Sequence, residues 1–370
     1  MVVFLSSTWA APTLLDTIKA PIVPTNTDSL FTFYDLPTTL SGPCDLCAGP
    51  DGALWGQDQL VNQVFRIDPE SSRIETFDIP FTLDPILNAT LPPVLGNVAG
   101  RTALSCAIRP GADGNIYSAF GTRNQLVRIN PVTKKIDVFT PDNLLQPLGD
   151  LQPFNDLYTA HDGIYFTQTS ANLISFFSFE TETIESYVIP TPASFPLGMF
   201  VDSEGYAWFT ELVGQKIGRF DPRTKAFKEY PVPLPQLATP AVIRVETEGR
   251  YIWFTAFVGN ALGRLDKNTG EIEAFSNPLP GGLVAEDTLD SDGNIWFSSA
   301  TQNVLSKLDP RSGEIEQIVM PGTVVVAPVS VPLYFVIAMN YGPGDAVWFT
   351  EETVNRVGRY DLGKAKANSV

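Results

Sequence analysis

Residues Asp292 to Asp309 read DGNIWFSSATQNVLSKLD. In order these are a tight Asp-Gly turn, a strand ending in Trp-Phe, a short polar loop and a second strand closing on Leu-Asp. The phrase recurs as DGALWGQ from Asp51, DGNIYSA from Asp113, DGIYFTQ from Asp162, EGYAWFTE from Glu204, GRYIWFTA from Gly249 and GDAVWFTE from Gly344. Each copy is followed by a partner strand, from QVFRID in the first to RVGRYD in the last. Copies spaced by roughly 40 to 50 residues mark a radial or stacked repeat array.

Outward from this pair, each unit carries two more strands. One precedes the Asp-Gly turn: CDLCAG, SCAIR, NDLYTA, LGMFVD, VIRVET, VAEDTLD and FVIAMN. The other follows a turn such as DPRTKA or DPRSGE and closes near a proline, as in IETFDIP or TIESYVIP. The seventh unit lacks this fourth strand, because the chain runs out after Tyr360 and Asp361. Its pattern stands instead at the other end, in FTFYDLP from Phe31 to Pro37. A closed ring needs this permutation, since the leading strand then covers the edge of the last unit. The expected fold is therefore all-β: a seven-bladed β-propeller of four-stranded blades spanning 31–361, its last blade closed by Phe31–Pro37. Residues 1–30 form an N-terminal segment and 362–370 a C-terminal tail.

Composition agrees. Of 370 residues 44% are hydrophobic and 11% aromatic, punctuated by 28 Gly and 31 Pro, without sustained helical periodicity. The formal charge is -17, from 41 acidic and 24 basic residues, which argues against nucleic acid and anionic membrane surfaces as partners. No apolar run is long enough to span a bilayer. Met1 to Ala10 has a short apolar core and a small-residue exit but no basic residue, as in a remnant secretory signal. Asn88 opens a glycosylation sequon, Asn88-Ala89-Thr90. Both features point to the secretory pathway or the extracellular space; without them the chain is cytoplasmic.

Cys44 and Cys47 have the spacing of a redox or zinc motif, but one further Cys (Cys106) and one His (His161) do not complete a zinc site. Cys47 and Cys106 precede the turns of neighbouring units, so Cys106 is expected near Cys44 or Cys47, as a disulfide or as one of three buried thiols. His161 falls in a tight turn before an Asp-Gly pair and reads as a turn residue. The chain shows no Ser-His-Asp set, no phosphate-cradling loop and no metal cluster.

Short turns join first to second and third to fourth strands, whereas several fourth-to-first connections are long and rich in apolar residues. The long-loop face is thus the expected site, its loops forming an apolar mouth or packing down on the ring. Second strands end there in Asp58, Phe120, Gln168, Glu211, Ala256, Ser299 and Glu351; first strands add Asp45, Asp156, Arg244, Glu286 and Asp287 near the axis. These groups either sit solvated in a wet channel or floor a small-molecule site. A cation between Asp58 and Glu351 is a further reading. Candidate catalytic contacts are Asp156, Gln168, Glu211, Arg244, Glu286 and Glu351. Candidate substrate-binding residues are Phe120, Asp287, Tyr334 and Tyr341.

The phrases WFTELVGQKIGRFDPRTKAFKEYPVP (Trp208 to Pro233) and WFTEETVNRVGRYD (Trp348 to Asp361) resemble the virginiamycin B lyase family of seven-bladed propellers. That resemblance implies magnesium-dependent elimination on a cyclic depsipeptide, with an inner-strand Glu-x-His and a later Glu as ligands and base. Here VAEDTLDSDGNIWFSSA places Val284 or Glu286, and Ser299-Ala300, at those positions, so the histidine base is absent. The same scaffold is similar to fungal hetero-Diels–Alderases of tropolone-sesquiterpenoid pathways. This second resemblance implies a cofactor-independent cycloaddition of apolar polyketide and terpenoid substrates, which asks for a shaped apolar cavity and a few donors, with no metal. A metal-dependent lyase and a non-catalytic binding propeller are the alternatives.

Overall fold

The computed structural model describes residues 22–23, 28–80, 106–120, 125–141, 155–321, 325–326, 329–330 and 335–368. Seven antiparallel sheets are arranged as blades, each running outward from an innermost strand. The innermost strands of blades 1 to 7 are Pro43–Ala48, Ile108–Pro110, Leu157–Thr159, Pro196–Val201, Pro240–Thr247, Val284–Leu289 and Met339–Gly342. Blade 7 is completed by Phe31–Asp35, which pairs antiparallel with Arg356–Asp361, Phe31 opposite Tyr360 and Asp35 opposite Arg356. Phe31 and Tyr34 are buried there, against Tyr360 and Trp348 respectively. Closure by the leading strand is therefore observed.

Two features go beyond the sequence reading. Ile22–Val23 adds a parallel fifth strand to blade 6, opposite Gln317 and Ile318. The C-terminal tail forms a helix, Leu362–Asn368, whose Leu362 is buried. No helix among the described residues is long and apolar enough to cross a membrane.

The recurring phrase has a physical origin. Where the second strand carries Trp, its indole N–H is bonded back to the preceding turn: Trp208 to Asp202 and Trp296 to Asp290 at 2.8 Å, Trp55 to Asp51 and Trp253 to Thr247 Oγ1 at 2.9 Å, and Trp348 to the Pro343 carbonyl at 3.1 Å. The next residue, Phe, lies over a cross-strand glycine: Phe209 opposes Gly218, and a Cβ on Gly218 would meet the ring at 2.0 Å. Aromatic pairs across neighbouring blades fill the remaining space.

The seam between blades 7 and 1 is held by polar groups. Asn355 donates to the carbonyls of Leu36 and Thr38 at 3.3 and 2.8 Å. Ser41 Oγ lies 2.8 Å from Asn355 Oδ1 and 2.8 Å from Asp58 Oδ1. A serine hydroxyl has one proton for these two acceptors, so the second proton belongs to Asp58. Burial, opposed by the Ser41 contact, pushes the Asp58 carboxyl up to about 7 from its ordinary 3.8. A raised carboxyl contributes stability that is complete below its unfolded value and lost as pH rises through its folded one. Wild-type stability should therefore fall relative to Asp58→Asn between about pH 4 and about pH 7, read as the difference in urea midpoint; a difference constant with pH would exclude a protonated Asp58.

Candidate functional site: arginines at the floor of the axial cavity

The innermost strands carry one polar side chain each at the axis in most blades, and together these plug the channel. Asp45 of blade 1 accepts from its neighbour Leu46 N at 2.8 Å and from Ile108 N of blade 2 at 2.9 Å. Asp156 of blade 3 repeats the arrangement with Leu157 N and with Met199 N of blade 4, both at 2.8 Å. Each aspartate thus staples two blades through backbone donors.

Arg244 comes from an irregularity in the sheet. Ile243 pairs with Phe254 and Val245 with Trp253, so Arg244 is the extra residue of a β-bulge, and a bulge re-aims a side chain. Its Nη2 donates to Asp156 Oδ1 at 2.9 Å, Nη1 donates to Asp156 Oδ2, and Nε donates to Glu286 Oε1 at 2.9 Å. Arg109 donates to Asp45 Oδ2 at 2.7 Å and to Glu286 Oε1 at 3.3 Å. Burial opposes the charge on Arg244, but Asp156, Glu286 and Asp45 outweigh it and hold the group well above its ordinary value. Glu286 is pushed up to about 8 by burial, against the pull of both arginines.

This network has two sides. Arg109 and Arg244 line a cavity of about 450 Å³, whereas Asp45, Asp156 and Glu286 stand behind them. Its walls are Tyr158, Phe200 and Tyr341, with Thr288, Asn340, Asp287 and the Lys267-paired Glu246 as further polar groups. Tyr158 lines the cavity, and burial raises its pKa, so its hydroxyl keeps its proton. Arg109 Nε is likewise buried and unpartnered. Donors fixed from behind by carboxylates can polarise a substrate oxygen bound in the cavity without reorganising.

The cavity opens between the C-terminal ends of the innermost strands, on the face of the short first-to-second turns. Most of the long loops expected to form a mouth on the other face, in 81–105, 142–154 and 322–334, lie outside the described residues. The second-strand ends are not brought to this cavity. Gln168 is buried within blade 3, donating to Ser175 Oγ at 2.6 Å. Glu211 is buried in blade 4 beside Gly214, and burial raises its pKa to about 7. Glu351 is buried and accepts from Arg356 in blade 7. Phe120 packs in the core between blades 1 and 2. These positions lie on second strands, one layer out from the axis; Gln168 and Glu351 bond within their own blades, whereas both Glu211 oxygens are buried with no partner among the described residues. Of the predicted residues, Asp156, Arg244, Glu286, Asp287 and Tyr341 gather at the axis. Tyr334 and Asn88 lie outside the described residues. His161 is exposed in the turn after Leu157–Thr159. Sequence reading overlooked Arg109; an arginine inside an inner strand of an acidic chain, as in SCAIR, was the available signal.

Cys106 pairs with Cys44 as a disulfide, and Cys47 is a free thiol at the cavity wall. The alternative of three free thiols is thus set aside.

A family model for the Virginiamycin B lyase family matches residues 102–305 and, in an overlapping match, 164–366. The chain belongs to that family. Among solved structures, a streptogramin B lyase superposes with a TM-score of 0.72 at 22% identity, covering 89% of this chain and 96% of that one. Selenomethionine-substituted virginiamycin B lyase from Staphylococcus aureus gives 0.71 at 20%, covering 89% and 98%. A catalytically inactive histidine-to-alanine variant of the same enzyme with quinupristin gives 0.72 at 21%, covering 89% and 98%. At these identities the superpositions establish the fold. No curated protein matched in sequence.

Magnesium, implied by this family membership, does not fit the residues gathered here. Each of Asp45, Asp156 and Glu286 already accepts from a guanidinium, so a divalent cation would have to displace Arg109 or Arg244. Among the described residues no cluster of three or more His, Cys, Asp or Glu could hold a metal ion. Asp58 and Glu351 each bond through one oxygen, to Ser41 and Arg356 respectively, and each keeps a second oxygen without a partner among the described residues.

Proposed function

We propose that this chain is a cofactor-independent cyclisation enzyme, catalysing a hetero-Diels–Alder addition between an oxygenated heterodiene and an apolar alkene. The observation that carries the reading is the pair of arginines held from behind and turned to a cavity with aromatic walls. In such an addition one C–C and one C–O bond form together, and no atom leaves. Donation from Arg109, Arg244 or the Tyr158 hydroxyl to the heterodiene oxygen draws electron density from the diene and lowers the barrier. The aromatic walls hold the alkene against it, and orientation alone supplies several kcal/mol. A volume of about 450 Å³ lies within the usual range for small-molecule sites.

The family name favours elimination as the second reading. A relative that loses its histidine is described as catalytically inactive, whereas the one histidine here, His161, is exposed in a turn and absent from the axial cavity. Elimination would therefore need a different base. The deciding experiment mixes purified protein with a generated quinone methide and a cyclic terpene, with and without EDTA, and resolves products on a chiral column. A single enantiomer of cycloadduct, formed equally in EDTA, is the expected result. A racemic background with no acceleration would refute it, and magnesium-dependent opening of a cyclic depsipeptide would install the lyase.

A further inference from the structure

In every blade the second-strand Trp or Tyr faces a third-strand residue across the sheet. That residue is Arg66 in blade 1, Arg128 in blade 2, and Arg219, Arg264, Lys307 and Arg359 in blades 4 to 7. In blades 4 to 7 the cation stands 5.4 to 5.9 Å from the indole. Oxygens from neighbouring elements hold it. Arg66 donates to Asp51 of its own turn at 2.7 Å and to Glu75 of the fourth strand at 3.4 Å. Arg264 donates to Glu273 at 2.5 Å and to the Pro310 carbonyl, in a turn of the next blade, at 3.4 Å.

Blade 3 alone departs: Phe176 faces Tyr165. The oxygens are kept. Asp162 stands in the turn as Asp51 does in blade 1, Glu185 faces Phe176 as Glu75 faces Arg66, and Pro222 stands in the next blade's turn as Pro310 does. Asp162, Tyr165, Phe176, Glu185 and Pro222 line one groove of about 900 Å³ between blades 3 and 4. Thr159 is the one residue it shares with the axial cavity. Tyr165 is 5% exposed, and its hydroxyl makes no hydrogen bond among the described residues.

The cations of the groove are engaged. Arg223 bonds to Asp221 at 3.2 Å and stacks on Tyr206, and Lys225 donates to the Tyr187 hydroxyl at 2.6 Å. Lys225 reaches Glu185 only at 3.8 Å with both side chains more than half exposed, so water screens that pair. Asp202 is matched by Lys267 at 3.3 Å. That leaves Asp162 and Glu185 in a groove walled by the Tyr165 and Phe176 rings, an aromatic and two carboxylates being the surroundings of the guanidinium in blade 1.

We propose that this groove binds an organic cation, a guanidinium or ammonium on an aliphatic stem, which supplies from solvent the charge that the other six blades carry on their own third strand. The ring faces attract the charge, Glu185 and Asp162 pair with it, and the Tyr165 hydroxyl accepts one N–H. The site is independent of the axial cavity and of the reaction assigned to it.

The test titrates the full chain with butylguanidinium and with its neutral isostere butylurea, followed by saturation-transfer NMR. Butylguanidinium should bind about tenfold more tightly, and added salt should weaken it. Phe176→Arg installs the side chain of blades 1, 2, 4, 5 and 7, and should weaken binding about tenfold without lowering the melting temperature. Glu185→Gln, a change at an exposed side chain, should weaken binding about threefold. The proposal is overturned if wild type does not bind butylguanidinium, if butylurea binds equally well, or if a folded Phe176→Arg binds as wild type does. Should Phe176→Arg fail to fold, Asp162→Asn combined with Glu185→Gln decides alone, and unchanged affinity there overturns the site. N-acetylarginine methylamide separates the sources of the cation. Binding equal to butylguanidinium assigns the groove to an arginine of a peptide and weaker binding to a free alkylguanidine, and either result upholds the cationic site.

Discussion

Arg244→Ala should destabilise the protein by about 3 to 5 kcal/mol and abolish turnover, the larger of the two effects expected from single substitutions. The side chain donates to both oxygens of Asp156, to Glu286 and to the Met199 carbonyl. Its removal leaves Asp156 with only two backbone donors in a dry interior, and leaves Glu286 with Arg109 alone. The magnitude comes from stranding charge, not from the intrinsic strength of the pair, because the ion pair itself offsets a large desolvation cost. A double substitution separates the two. Arg244→Ala with Asp156→Asn should recover a substantial part of the loss, since the stranded charge is gone, whereas turnover should stay lost because the donor is gone. Urea unfolding of the four proteins of this cycle measures the coupling. Additive losses would show that Arg244 and Asp156 do not act as a unit, and retained turnover in Arg244→Ala would remove the guanidinium from the proposed chemistry.

Loss of the disulfide is the second large effect. Cys44 and Cys106 are separated by 62 residues, and closing a loop of that length stabilises by about 4 kcal/mol in the chain-entropy account. The bridge also ties the strand bearing Asp45 to the strand bearing Arg109, so its absence loosens one of the ion pairs behind the cavity. Cys106→Ser should therefore lower the urea midpoint markedly and reduce turnover, and a reductant should bring wild type to the same midpoint while leaving Cys106→Ser unchanged. Cys47→Ala, which touches no bridge, is the control and should be nearly neutral by comparison. A reductant-insensitive wild type with a midpoint equal to that of Cys106→Ser would mean the bridge contributes nothing.

The architecture was legible because its signals are local and repeated. A tight turn, an aromatic residue that reaches back to it and, in blades 4, 5 and 7, a Phe over a glycine are each set within a few residues, and seven copies of the unit average out any single misreading. Ring closure was legible for the same reason: a missing fourth strand at one end and a spare one at the other admit one pairing, and Phe31–Asp35 makes it with Arg356–Asp361.

The site is a different matter. Its members come from separate blades, and the longest run of them in the chain is Glu286 to Thr288. Asp45, Asp156, Arg244 and Glu286 were recognisable as charges near an axis, yet their sorting into carboxylates behind and guanidiniums facing the cavity depends on a one-residue bulge at Arg244 that shifts a side chain to the opposite face. Gln168, Glu211 and Glu351 looked equivalent in sequence but lie one strand out, away from the axial cavity. Sequence by itself determined the repeat, the blade count and the closing strand, since these follow from short-range turn and period-two preferences. Tertiary structure alone decided which face bears the cavity and which charges neutralise one another, because those depend on contacts among strands far apart in the chain.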